Sequence, residues 1–173
     1  IRPDFAEAHY NIGSAFMDKG VLDASIESYK RAITIKPDYA EAHYNMGNAL
    51  KDRGFLNEAI ASYNLVLKIQ PDHTEAYNNM GFALQDQGDL DAAIESYNLA
   101  LKIQPDYAMA HNNMGNALTL RGSMDIAIAS YNRALKIKPD FAEAHNNLGN
   151  ALKERGELDA AIESFNRALK IRP

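Results

Sequence analysis

Histidine and serine, two residue types that carry much of protein chemistry, recur along this chain at a fixed interval. His9, His43, His111 and His145 stand 34 residues apart or at a multiple of it, and so do Ser28, Ser62, Ser96, Ser130 and Ser164. The histidines do not read as a metal site. A helical zinc site needs two ligands one turn apart and a third close by, whereas each of these is at least one whole interval from the next. Their recurrence, one per interval, places them instead beside a core. No base accompanies the serines at a spacing that would activate a nucleophile, so they read as small packing residues. The glycines are single, and no phosphate-cradling Gly-rich loop is present. With no Cys among 173 residues, disulfides and thiolate metal sites are excluded. No catalysis, cofactor or metal is expected.

The interval is an internal repeat. Residues Pro37 to Gln70 read PDYAEAHYNMGNALKDRGFLNEAIASYNLVLKIQ, and the chain writes this 34-residue unit five times, from Pro3, Pro37, Pro71, Pro105 and Pro139, with a sixth copy opening at Pro173. Fixed periods of this length mean stacked architectures. The expected organisation is one array over residues 1–173, divided as 6–39, 40–73, 74–107, 108–141 and 142–173. Positions below count from Ala40 as position 1. Start and end fall at the same phase of the unit, which reads as a segment of a longer array.

Asparagine gives the strongest candidate binding surface. Position 6 is Asn11, Asn45, Asn79, Asn113 and Asn147; position 9 is Ser14, Asn48, Phe82, Asn116 and Asn150; position 5 is Tyr10, Tyr44, Asn78, Asn112 and Asn146. On a helix, positions 2, 6, 9 and 13 fall within about 60° of each other. An amide offers both donor and acceptor, so a ladder of amides suits the backbone of an extended peptide of almost any sequence. Position 12 varies (Met17, Lys51, Gln85, Thr119, Lys153), which argues against simple copying of the unit. Five rungs at roughly 0.5 to 1.5 kcal/mol each only match the losses of association, so affinity needs pockets besides. Phe82, Met109 and Leu120 replace polar residues on this arc and are expected to form an apolar anchor for one ligand side chain. Acids at positions 2 and 13 (Glu7, Glu41, Glu75 and Glu143; Asp18, Asp52, Asp86 and Glu154) favour neutral or basic peptides.

Two helices per unit must position these residues. Asp38 with Glu41 has capping-box spacing, as do Asp4/Glu7, Asp72/Glu75 and Asp140/Glu143, while Met109 breaks it in repeat four. A first helix is expected over roughly Ala40 to Arg53, stopped by Gly54. A second runs from Leu56 to Ile69 and ends before Pro71. Ala42, Met46, Ala49 and Leu50 form one apolar arc, and Leu56, Ala59, Ile60, Tyr63, Val66, Leu67 and Ile69 another. One unit is too small to bury these surfaces alone, so neighbours must stack. The fold class is all-α, ten helices in an α-solenoid.

Composition narrows the partners. Asp and Glu outnumber Lys and Arg by 23 to 18, which argues against nucleic acid, whose backbone needs clustered cations. No apolar run approaches a membrane span, and no signal peptide is visible. The expected compartment is the cytoplasm.

The pattern resembles the tetratricopeptide repeat (TPR), a 34-residue helix–turn–helix unit, through Gly47 at position 8, Ala59 at position 20, Tyr63 at position 24 and Pro71 at position 32. It departs at position 4, often Trp, with His9, His43, Tyr77, His111 and His145; at Ser25 in position 20; and at Val66 in position 27. The resemblance implies a right-handed superhelix whose concave groove, lined by the first helices, binds proteins or peptides. The position-6 asparagines are similar to those of the TPR arm of O-GlcNAc transferases, which hold substrate backbone. TPRs that clamp a chaperone's C-terminal carboxylate carry Lys or Arg at positions 2, 5 and 6, and these are absent here. Three functions follow as expectations: a non-catalytic scaffold for an extended peptide, the substrate-recruiting arm of a larger glycosyltransferase, or a solenoid stacking end to end into a homo-oligomer.

Overall fold

A computed structural model describes residues 5–172. Ten helices and no strands occur among them: α1 (Ala6–Asp18), α2 (Leu22–Ile35), α3 (Ala40–Asp52), α4 (Leu56–Ile69), α5 (Thr74–Asp86), α6 (Leu90–Ile103), α7 (Ala108–Leu120), α8 (Met124–Ile137), α9 (Ala142–Glu154) and α10 (Leu158–Ile171). The chain forms the all-α solenoid expected from its repeat. Each first helix is stopped as the sequence requires. Gly54 lies at φ +85°, a left-handed conformation open to glycine. Each second helix ends ahead of an X-Pro step, and Gln70 before Pro71 is extended at φ −130°, ψ 87°.

The helix starts differ from expectation. The residue that caps α3 is Tyr39, and it makes no side-chain cap bond. Asp38 lies one residue earlier, in the turn, so its carboxylate is not the cap of this helix. Phe5, Tyr107 and Phe141 cap α1, α7 and α9 in the same uncapped way. Among the first helices, only His73 of α5 supplies a side-chain acceptor, Nδ1 receiving the Ala76 N–H at 3.3 Å. Asp4 of the first expected box lies outside the described residues.

The chain falls into two compact units, Ile1–Gln87 and Gly88–Pro173, and the boundary lies between the two helices of repeat three. In the first, α1 to α5 pack consecutively; in the second, α6 to α10 do. The core is alanine packed around large rings. Ala42, Ala49, Ala59, Tyr63 and Val66 are completely buried in repeat two. Position 8 must be glycine for this packing. A Cβ on Gly47 would stand 2.7 Å from Tyr63 Cε1, and one on Gly115 would stand 2.5 Å from Tyr131 Cε1. The periodic serines are buried packing residues. Ser28 and Ser130 return their hydroxyls to the carbonyls of Ala24 and Ile126 at 2.7 and 2.9 Å. Ile69 departs from expectation. It lies exposed in the last turn of α4, as Ile35 and Ile103 do in their helices.

Candidate functional site on the first-helix face

The first helices of each unit lie side by side, α1–α3–α5 in one and α7–α9 in the other. Their shared face carries the asparagine positions, and those amides are tied to one another. Position 6 of one repeat donates to position 5 of the preceding one. Asn45 Nδ2 donates to Tyr10 Oη at 3.0 Å, Asn79 Nδ2 to Tyr44 Oη at 3.0 Å, and Asn147 Nδ2 to Asn112 Oδ1 at 3.1 Å. The partners are separated by 35 residues, one repeat plus one.

Position 9 is oriented from below. The Tyr63 hydroxyl donates to Asn48 Oδ1 at 2.8 Å, and the Tyr131 hydroxyl donates to Asn116 Oδ1 at 2.8 Å. Asn48 Oδ1 also accepts from Asn79 Nδ2 at 2.9 Å, and Asn78 Nδ2 donates to Asn79 Oδ1 at 3.1 Å. Burial raises the pKa of Tyr63, Tyr44 and Tyr131 above the usual phenol value. These rings are therefore neutral hydrogen-bonding groups at physiological pH. Asn48 Oδ1 accepts twice and its amide also bonds Tyr44, which leaves one N–H donor, while Asn116 Oδ1 accepts once, from Tyr131. Asn45 and Asn147 each donate one N–H, which leaves their amide oxygen and a second N–H. Asn113 is buried. Asn11 and Asn150 are exposed.

The apolar exceptions also lie on this face. Phe82 is on α5 of the first unit, with the Lys51 ammonium 5.2 Å from its ring centre; Lys51 in turn lies 3.0 Å from the Asp52 carboxylate. Met109 and Leu120 sit at the two ends of α7 in the second unit. Eleven residues at 1.5 Å each separate them by about 16 Å along the helix, so one ligand side chain cannot touch both. Leu120 is 64% exposed. The acids at positions 2 and 13 are exposed as well.

Sequence spacing did not reveal the task of the position-4 histidines. His43, His111 and His145 each bring Nε2 to the carbonyl of the proline opening their own repeat, Pro37, Pro105 and Pro139, at 2.9, 3.0 and 2.9 Å. A carbonyl only accepts, so Nε2 carries the proton and donates. Nδ1 of all three is buried without a partner. They staple the inter-repeat turn to the first helix. Among the described residues, no three His, Asp or Glu side chains come together to hold a metal, and no helix is long and apolar enough to cross a membrane.

Comparison with known proteins agrees with this geometry. A family model described as TPR repeat matches residues 13–54, 47–88, 84–122 and 115–154, and one described as Tetratricopeptide repeat matches 142–173. Neither describes an enzyme. A search of curated proteins found no significant match. Among solved structures, the chain is similar to MamA, with 30% identity and a TM-score of 0.83 over 92% of this chain and 94% of that one. It shares the fold of TTC0263, a thermophilic TPR protein of Thermus thermophilus, at 24% identity and TM-score 0.79 over 98% of this chain and 92% of that one. It also shares the fold of YrrB, described as a TPR protein with an unusual peptide-binding site, at 19% identity and TM-score 0.76 over 99% and 89%. The repeat length, the glycine–tyrosine packing and the matched models together place this chain in the tetratricopeptide-repeat family.

Proposed function

We propose that the first-helix face holds an extended peptide by its backbone. Membership of the TPR family supports a protein-interaction role, and YrrB, a relative in fold, is described as having a peptide-binding site. The observation that carries the finer reading is the internal tethering of the amides. Asn45 retains an acceptor, while Asn48, one turn later on α3, retains one N–H donor. A peptide bond offers the matching pair, an N–H and a C=O. Because the amides are already held by Tyr10, Tyr63 and Asn79, little side-chain freedom remains to be lost on binding.

Side-chain selection falls to the apolar exceptions. Phe82, Met109 and Leu120 supply separate anchors for hydrophobic ligand residues, and the exposed acids at positions 2 and 13 favour neutral or basic ones. The test uses a phage-displayed library of random dodecapeptides selected on the whole chain. Binders are expected to be lost on Asn48→Ala with Asn116→Ala, and their hydrophobic preference on Phe82→Asn with Met109→Glu, with helical content retained. A library that yields no binder, or binders indifferent to all four substitutions, overturns the proposal.

A further inference from the structure

On the second-helix side of the first unit, a groove of about 530 Å³ opens between α2 and α4. Its floor is the packed junction of repeats one and two, Ile26 of α2 with Met46 and Leu50 of α3. Phe55, at the start of α4, and Leu65 within it form the wall and are 45% and 40% exposed, with Ala61 between them. The helices around the groove have both their neighbours in place, α2 between α1 and α3, and α4 between α3 and α5. The repetition of the chain fails here in one sense. Positions 16, 22 and 26 are Phe55, Ala61 and Leu65 in repeat two, all apolar. Every other repeat has at least two polar residues at these places, as in Asp89 with Glu95 and Ser123 with Arg133. Position 19 changes the other way: it is Glu58 in repeat two and Ala24, Ala92, Ile126 or Ala160 elsewhere. Copying of the unit does not produce this set.

Two of the charges on the rim are used inside the chain. Asp23 at position 18 pairs with Arg53 at position 14 of the next repeat, at 3.0 Å. Asp91 with Arg121 and Asp125 with Arg155 make the same pair in the second unit. Glu27 pairs with Arg31 at 3.3 Å. The other two rim charges, Glu58 and Lys30, are exposed, and neither is in an ion pair among the described residues. Asp23 lies by Arg53 and Ile26 shares a cluster with Leu50, so α2 runs antiparallel to α3. Gly47 lies by Tyr63 and Leu50 by Phe55, so α4 runs antiparallel to α3 as well. Hence α2 and α4 share a direction. Glu58 at position 19 and Lys30 at position 25 lie toward opposite ends of the groove, about 9 Å apart along it.

We propose that this groove docks an amphipathic helix of a partner protein, its apolar stripe laid on Phe55 and Leu65, with a basic side chain over Glu58 and an acidic one over Lys30. The occupant is a helix because the walls offer no backbone partner. They are helices, whose own N–H and C=O groups are engaged, and among the described residues that line the groove none is Asn or Gln. An extended segment here would bury peptide groups without hydrogen bonds, whereas a helix satisfies its own. The first-helix face, with its amides, is the reverse case. Length agrees: Phe55 and Leu65 are ten residues apart, about 15 Å or three turns, the span of a stripe at i, i+4 and i+7. The two free charges fix the polarity of the partner by complementarity.

A phage-displayed library of alanine-rich helices, randomised along one face and selected on the whole chain, tests this. Selected peptides are expected to carry an apolar stripe with a base toward one end and an acid toward the other. Their dissociation constants, read by fluorescence anisotropy, are expected to rise at least about tenfold on Phe55→Ser or Leu65→Arg. They are expected to be unmoved by Asn48→Ala with Asn116→Ala, which lie on the other face. Repeat four carries Ser123 and Arg133 at the two substituted positions, and Phe55 and Leu65 are exposed, so both variants fold, which circular dichroism checks. Glu58→Lys is expected to weaken binding several-fold, and a peptide with Glu in place of its base is expected to regain the loss. A library that yields no binder, or binders that Leu65→Arg leaves unchanged, overturns the proposal. So does a wild type that doubles its mass on sedimentation and loses this on Leu65→Arg, which would assign the groove to a second copy.

Discussion

The two units use the same backbone and tie their first helices together with different chemistry. In the first, α3 and α5 rest their amides on phenols, Asn45 on Tyr10 and Asn79 on Tyr44. Those rings are themselves propped, Tyr10 against Tyr39 at 5.2 Å and Tyr44 against His73 at 4.8 Å between ring centres. In the second, α9 rests an amide on an amide, Asn147 on Asn112, and Asn112 Nδ2 lies 3.4 Å from Glu143. Tyr10 and Tyr44 are half-buried, whereas Asn112 is completely buried. The junction therefore tolerates either acceptor, but the phenol rung is backed by ring packing and the amide rung depends on its hydrogen bond being made.

The largest expected effect concerns what the units share. Tyr63→Ala removes a fully buried ring wedged against Gly47 and should cost about 3–5 kcal/mol of unfolding free energy. Tyr131→Ala should lose a similar amount. Phe165, the equivalent residue of repeat five, stands against Gly149 but is only half-buried, so Phe165→Ala should lose clearly less. Urea unfolding of the three variants checks this. Equal losses at Tyr63 and Phe165 would show that the ring's place against the glycine, and not its burial under a following repeat, sets its worth.

Next in size is the contrast between rungs. Asn147→Ala strips a completely buried amide oxygen, that of Asn112, of its donor, and should cost about 1–3 kcal/mol. Asn45→Ala strips the hydroxyl of Tyr10, a half-buried residue, and should cost about 0.5–1.5 kcal/mol. Both substitutions raise helix propensity alike, so the difference between them reports the rung. Urea midpoints in which Asn45→Ala is the costlier change would reverse the reading that phenol rungs are the better backed.

How much of this was legible in the sequence follows from the range over which each signal acts. The period, the helix ends at Gly54 and before Pro71, and the burial of Ala42, Ala49, Ala59 and Tyr63 are written within single repeats, and the other copies restate them with few exceptions, such as Ser25 for Ala59 and Phe165 for Tyr63. The capping spacing of Asp38 and Glu41 misled because Tyr39 takes the cap position and shifts the carboxylate one residue into the turn. Ile69 has a core residue's place on the helical wheel and lies in a last turn that is exposed. The ties that shape the candidate site join residues 35 apart, such as Asn45 and Tyr10, and become visible only when neighbouring repeats are stacked. One signal was available unread: position 18 and position 14 change together at Asn57 and Gln87, which marks a contact between repeats.

The smallest expected effect concerns the His111 turn staple and its response to pH. Burial lowers the pKa of His111 below its ordinary value of 6.5, against the opposing bond to the Pro105 carbonyl, and the nearby Arg133 lowers it further. The unfolded chain then binds a proton at His111 more readily than the folded one as pH falls through about 6.5, so stability rises with pH across that range. The contribution is fully present above the ordinary histidine pKa and is lost below it. Tyr occupies the same position in repeat three, at Tyr77, so His111→Tyr keeps an aromatic ring there and removes the titration. Urea midpoints of wild type and His111→Tyr between pH 8 and pH 5 should differ by a constant amount at the alkaline end, and the gap should shift in favour of the variant toward the acid end. The remaining histidines are common to both proteins and cancel from the difference. A gap that does not change with pH would mean that the Pro105 bond holds the protonated ring as well as the neutral one.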